Sequence, residues 1–224
     1  MGAKGSVAAK TRRRPGGPLS RDRIARAALE MADRDGVDQL SMRRLATALG
    51  AGTMTLYGHF NSKEELLDAA LDAAAAEKDL PHFEGSWRDQ LGQLVEHAHA
   101  LHRRHPSVVD IWTRQPVLGR VGLRWPEAGL RILETAGFAP EEAVVAFRLL
   151  ANYTWGFALF GRPRSGSGRD STSATLERLS PETFPRLQNA AHLFAGAMGS
   201  EESFLYGLGR ILDGLEAKLE SNQS

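Results

Sequence analysis

The sequence predicts an all-α fold, on three observations. From Ser86 onward every strong apolar segment repeats at helical spacing, and none alternates over the length of a strand. Ser20, Ser41, Ser62 and Ser86 stand ahead of such segments, and Gly36, Gly50 and Gly137 behind them, as caps and stops. The chain has 224 residues, 42% of them hydrophobic and 25% charged, close to the globular average and ample for a buried core.

Residues 1–18, rich in Lys, Arg, Gly and Pro, read as a flexible basic arm. Ser20 caps a first helix in which Ile24, Ala27, Ala28 and Met31 recur until Asp35-Gly36 ends it. A shorter helix follows from Ser41, with Leu45, Ala46 and Leu49 inside and Gly50 at its end. After Ala51-Gly52, residues 53–60 form a helix too short to stand alone, anchored by Leu56 and Phe60 at i, i+4. Its remaining side chains must point outward. Ser62-Lys63-Glu64-Glu65 reads as a capping box opening an Ala-rich helix to about Leu80, just before Pro81. Three short helices, the last two joined by a tight glycine turn, are the pattern of a helix-turn-helix DNA reader.

In the body, residues 86–105 carry Trp87, Leu91, Leu94, Ala98 and Leu101 on one face before Pro106 interrupts. Helices are expected over 107–114 and 122–136. Pro140 begins another through about Phe160, apolar almost all round, which must be buried on more than one side. Residues 161–175 hold no large apolar residue and read as a flexible loop. Helices over 181–197 and 200–220 complete the chain, the last with a stripe of Phe204, Leu208, Ile211, Leu215 and Leu219, and with Gly207 and Gly214 placed to admit a close neighbour. The domains are thus the arm, a DNA-binding domain at 19–66 and a larger helical domain at 67–224.

The net charge of +1 divides unevenly. Residues 1–63 hold 12 Lys and Arg against 5 Asp and Glu, the remainder 16 against 22, so a basic head sits on an acidic body. The absence of cysteine excludes disulfides and thiolate chemistry. No run of about 18 apolar residues and no secretory leader is evident, so a cytoplasmic location without membrane partners is expected. Gly50-Ala51-Gly52 lacks the strand and third glycine of a dinucleotide loop, and neither a Walker lysine nor a Gly-x-Ser-x-Gly elbow occurs. His97, His99, His102 and His105 do not converge at 100° per residue, so neither a metal nor a cofactor is expected.

The segment LSMRRLATALGAGTMTLYGHFNSKEELL at 40–67, with its Leu-Tyr-x-His-Phe core at 56–60 and Lys63, resembles the TetR family of bacterial one-component transcription regulators. The body resembles the tetracycline repressor subgroup through SWRDQL at 86–91, Thr113-Arg114, and FLYGLGRILDGLEAKL at 204–219. The resemblance implies a homodimeric, ligand-responsive repressor that binds a pseudo-palindromic operator and is released by a small-molecule effector, with helix four as the lever. A helical enzyme and a protein-recruiting adaptor are the alternatives. The sequence departs from the family at Gly58, where a larger side chain is common, and at Ala51, where valine is usual. At the tetracycline and magnesium positions it offers Asp79, Leu94, Asp110 and Phe160, which argues against that ligand.

At DNA the resemblance selects Arg43, Thr53, Met54, Thr55, Tyr57 and His59. Arg43 suits a guanine edge, the threonine methyls suit thymine, and Tyr57, His59 and Lys63 suit phosphates. For an apolar pocket with a few polar groups the candidates are His102, His105, Trp112, Thr113, Asn152 and Trp155. For the dimer interface they are Phe147, Phe204, Leu208, Ile211 and Leu215.

Overall fold

Helices dominate the described residues, 19–114, 121–161 and 169–223, of a computed structural model. The arm expected at 1–18 lies outside them. Two hydrophobic cores organise them.

Around the first pack α1 (Arg21–Asp35), α2 (Met42–Ala48), α3 (Thr53–Tyr57) and α4 (Lys63–Ala76), with a 3₁₀ turn at Val37–Gln39. The Ser20, Ser41 and Ser62 hydroxyls accept from the Arg23, Arg44 and Glu65 amides, satisfying donors each helix leaves open at its start. Leu56 and Phe60 are wholly buried against Ile24, Leu29, Leu45 and Leu66. The expected capping box is only half made: Glu65 instead accepts from the Asn61 amide at 2.7 Å and from Arg21. Since α4 contributes Leu66, Leu67, Ala70, Leu71 and Ala74 to this core, the expected boundary at residue 66 runs through a helix that packs with the head along its length.

The second core joins α5 (Trp87–Arg104), α7 (Arg124–Ala136), α8 (Pro140–Phe160) and α12 (Glu201–Gln223). A reciprocal capping box does open α5, from Ser86 and Asp89, and Gly137 ends α7 at φ 108°, a conformation costly for any residue with a Cβ. Between the cores lies α6 (Pro106–Arg114), whose Val108 and Ile111 are buried in the first. Outside the second are α9 (Arg169–Glu177), α10 (Pro185–Asn189) and α11 (Ala191–Ala197). Thus the loop expected over 161–175 contains the start of a helix, because serine and threonine permit one where neighbours supply the packing. The helix expected over 181–197 is broken at Ala190.

The largely apolar α8 buries Ala143, Ala146, Leu150 and Thr154 but leaves Val145 68% and Phe160 68% exposed. It is long and apolar enough to cross a membrane by length and composition, yet it packs on α5, α6, α7 and α12. Two expected interface residues of α12, Phe204 and Leu208, are instead buried in the chain's own core, at 0% and 3% exposure. Gly207 has a neighbour within the chain too: Tyr153 occupies the space of a Cβ there and donates its hydroxyl to the Phe204 carbonyl at 2.8 Å.

Candidate nucleic-acid interface and ligand cavity

With Leu56 facing inward, a five-residue helix must turn its other residues out. Met54 is 80% exposed and Tyr57 46%, Thr55 and Gly58 are exposed beside them, and Thr53 and His59 are half-buried at the margins. On α2, Arg43 is exposed and makes no ion pair among the described residues, whereas Arg44 donates to the Gln39 carbonyl at 2.8 Å and to Asp35 at 3.1 Å. Neighbouring arginines therefore differ: one is available to a ligand, the other holds the turn between α1 and α2. Arg21 lies over the Phe60 ring at 4.2 Å, pairs with Glu65 at 2.7 Å and donates to the His59 carbonyl, fixing the end of α3 against α1 and α4. Lys63, expected at a phosphate, is turned inward; its Nζ donates to the Val37 carbonyl at 3.3 Å, part-buried.

A cavity of about 330 Å³ lies between the two cores. Trp112, Trp125, Phe147 and Trp155 supply its aromatic walls, and His102, Arg148 and Thr154 its polar side chains. No carboxylate is among the lining residues described. Trp112 and Trp155 stack at 4.4 Å, and the His102 ring lies tilted 4.4 Å from Trp155. Of the six expected pocket residues, His102, Trp112 and Trp155 line this space. Thr113 does not; it is exposed and bonds the Asp110 carbonyl. Asn152 is exposed and does not line it. His105 sits at the α5 cap, where φ −122° and ψ 79° take it off the helical wheel, and bonds Asp33 and Glu77 instead.

Sequence reasoning missed Arg148 and assigned Phe147 to an interface. The spacing Val144, Arg148, Ala151 and Trp155 was the available sign, since all four line the cavity from one stripe of α8. The tetracycline positions do not converge: Asp79 pairs with Arg124 at 3.1 Å, Phe160 is exposed, and Leu94 alone faces the cavity. No cluster able to hold a metal occurs among the described residues.

The cavity's lining belongs to both cores. Leu71 and Val108 are buried members of the first core, and Leu94 and Leu150 of the second.

Comparison with known proteins adds two matches, one to the head and one to the body. Residues 24–70 match the family described as bacterial regulatory proteins, tetR family, and residues 80–219 match the tetracyclin repressor-like C-terminal domain. The chain belongs to the TetR family. Among TetR relatives, the transcriptional repressor DrrR1 of Streptomyces coeruleorubidus is 34% identical over 92% of this chain and 82% of its own. The class A tetracycline repressor of Escherichia coli transposon 1721 is 33% identical over 88% of this chain and 90% of its own. Apo ActR of Streptomyces coelicolor superposes with a TM-score of 0.78 at 30% identity, covering 92% of this chain and 99% of that one. ActR in complex with actinorhodin gives 0.74 at 31%, covering 91% and 99%. This TetR chain is a ligand-responsive DNA-binding transcriptional regulator and not an enzyme.

Proposed function

We propose that the chain is a cytoplasmic repressor, acts as a homodimer on a pseudo-palindromic operator, and is released when a flat, acceptor-rich aromatic molecule fills the cavity. The observation carrying this reading is the position of the cavity, roofed by one core and floored by the other. A ligand there favours whichever packing of head on body accommodates it, and lowers operator affinity by its differential affinity for the two arrangements.

The ligand class follows from the lining. Stacked indoles favour a planar ring system, and Arg148 with the indole N–H groups offers donors where no carboxylate competes. The actinorhodin complex of ActR supports this choice. At DNA, exposed Arg43, Met54, Thr55 and Tyr57, with Thr53 and His59 at the margin, serve as the reading surface. Lys63 steadies the head rather than meeting a phosphate.

For the dimer, exposed Val145 and Leu149 with half-buried Gly156 form a stripe along α8, and exposed Leu205 and Tyr206 lie beside half-buried Gly209 on α12. A Cβ on Gly156 or Gly209 would meet nothing within 4 Å in its own chain. Such a surface suits a second copy. Ile211 and Leu215, half-buried against the second core, flank it, and Phe147, Phe204 and Leu208 do not belong to it.

Selecting bound sites from random DNA tests the reader: two inverted half-sites about 34 to 36 Å apart, or longer by whole turns, are expected. Titrating actinorhodin as the aromatic probe against that complex tests release. Sites without symmetry would overturn the dimeric reader, and probe binding at the cavity without any change in operator affinity would overturn the switch.

A further inference from the structure

Among the four histidines around α5, His105 is the one whose two ring nitrogens both meet carboxylates. Nδ1 lies 2.7 Å from Asp33 Oδ2, and Nε2 lies 3.0 Å from Glu77 Oε2. Ionised carboxylates only accept hydrogen bonds, so a ring bonded to both carries a proton on each nitrogen and a positive charge. The ring is buried, with His105 at 8% exposure, while the Asp33 and Glu77 side chains are part-exposed at 19% and 28%. Its partners are themselves committed: the other Asp33 oxygen accepts from the Ser107 amide at 3.0 Å and the Ser107 hydroxyl at 2.6 Å, and Arg104 pairs with Glu77 at 3.1 Å. These are the charged groups facing the ring: Asp33 from α1, Glu77 at the end of α4, and Arg104 of α5 behind Glu77.

The elbow between α5 and α6 is thus fastened to both long helices of the reading head. It also bears the cavity wall, since Leu101 and His102 before it and Val108 and Trp112 after it line the space. At its far end α6 is tied to the head again, by Arg114 on Asp38 at 2.6 Å. That second tie is exposed and contributes little; at His105 the ring itself is buried and its carboxylate partners are less exposed than Arg114 and Asp38.

We propose that His105, as an imidazolium between Asp33 and Glu77, is a positioning residue that latches the cavity wall to the reading head, and that its proton makes operator affinity depend on pH. The proposal rests on the reading that head and body repack during release. A packing that withdraws the elbow from α1 exposes or unpairs the ring and releases the proton. Closed and open arrangements therefore differ by one bound proton, and linkage limits the resulting change in operator affinity to about tenfold per pH unit. Burial opposes the charge, but the bonds and charges of Asp33 and Glu77 outweigh it and hold His105 above the ordinary imidazole range. The latch is closed below that range and is lost as pH rises through the raised value.

The full-length protein provides the test, first without DNA. Nitrogen NMR of the histidine rings should show His105 doubly protonated at pH 7 and titrating above the ordinary imidazole range. Asp33→Asn and Glu77→Gln should each bring it down, which keeps the test open if His105→Gln does not fold. Operator affinity, on the site selected from random DNA, is then measured between pH 6 and 8.5. A slope in the wild type that flattens in Asp33→Asn and in His105→Gln is expected. A neutral His105 at pH 7, or a wild-type profile as flat as the variants', would overturn the latch. Failure to select any operator would remove the proposed repressor instead, and the ring titration would still decide the latch.

Discussion

The indole of Trp155 stacks on that of Trp112, with centroids 4.4 Å apart and planes 26° apart, joining α8 to α6 across the cavity. Trp155 also packs against the first core. Trp155→Ala should therefore destabilise the fold by roughly 3 kcal/mol and abolish binding of a planar probe. Trp155→Phe, which keeps a ring, should restore most of the stability and part of the binding. Denaturant unfolding and tryptophan-quenching titrations measure both. Loss of stability without loss of binding would place the ligand elsewhere.

The contrast between Arg43 and Arg44 gives a second expectation. Arg43→Ala should leave unfolding unchanged and relax preference at one operator base pair, at a cost of about 1 to 3 kcal/mol. Arg44→Ala removes the ties to Asp35 and the Gln39 carbonyl. Its effect should be at most about 1 kcal/mol on stability and equal across DNA sequences. Competition binding against single-base operator variants separates the two.

The head was legible in the sequence because each of its signals is local. A serine three residues before an amide it can cap, or two apolar residues at i, i+4, needs no knowledge of what lies across the core. The body was less legible for a corresponding reason. A helix apolar on every side has no phase, so spacing could not tell that Phe147 faces the cavity while Val145 and Leu149 face outward. On α12 the stripe through Phe204 and Leu208 was correctly seen as apolar, but whether it met its own chain or a second copy depends on α5 and α8. His105 failed differently: the 100° wheel stops at the last helical residue, and His105 is one beyond it. Three residues thus separate a cavity histidine from one that bonds the reading head.

Gly129 offers a way to change the cavity without replacing a lining residue. A Cβ there would overlap the Phe147 ring and come within 3.3 Å of Leu94 Cδ2. Gly129→Ala should push Phe147 aside at a cost of about 1 to 3 kcal/mol, as overpacking does. Because Phe147 lines the cavity, affinity for the aromatic probe should fall while operator affinity without probe stays unchanged. Probe titrations with and without the substitution decide it.

The outward stripe of α8 sets a fourth expectation. Val145→Asp together with Leu149→Asp should dissociate the dimer, since a charge cannot be buried unpaired at a helix interface. Sedimentation should report a folded monomer, and affinity for the two-half-site operator should fall toward that of one half-site. Phe204→Ala, by contrast, should lower stability before it lowers association, because that ring is buried within its own chain. An unchanged dimer in the double variant would move the interface elsewhere.

His99 should limit stability in acid, with the opposite sign to His105. Its ring stacks on Phe204 at 3.7 Å and meets Phe157 edge-on, and it is 5% exposed. Burial lowers its proton affinity, and the nearby Glu201, 3.5 Å from Nε2, only partly offsets that. A histidine held neutral in the fold binds its proton more readily when unfolded, where it titrates near 6.5. The unfolded state therefore gains as pH falls below that value, and the neutral ring's contribution is lost there. Between pH 7 and 5.5 the wild type should lose stability, at no more than about 1.4 kcal/mol per pH unit from this residue. His99→Leu removes the titrating group while keeping an apolar side chain, so it should flatten the acid limb even where it costs packing at pH 7. Denaturant midpoints across that range check the slope, and an acid limb equally steep in His99→Leu would assign the loss to other groups.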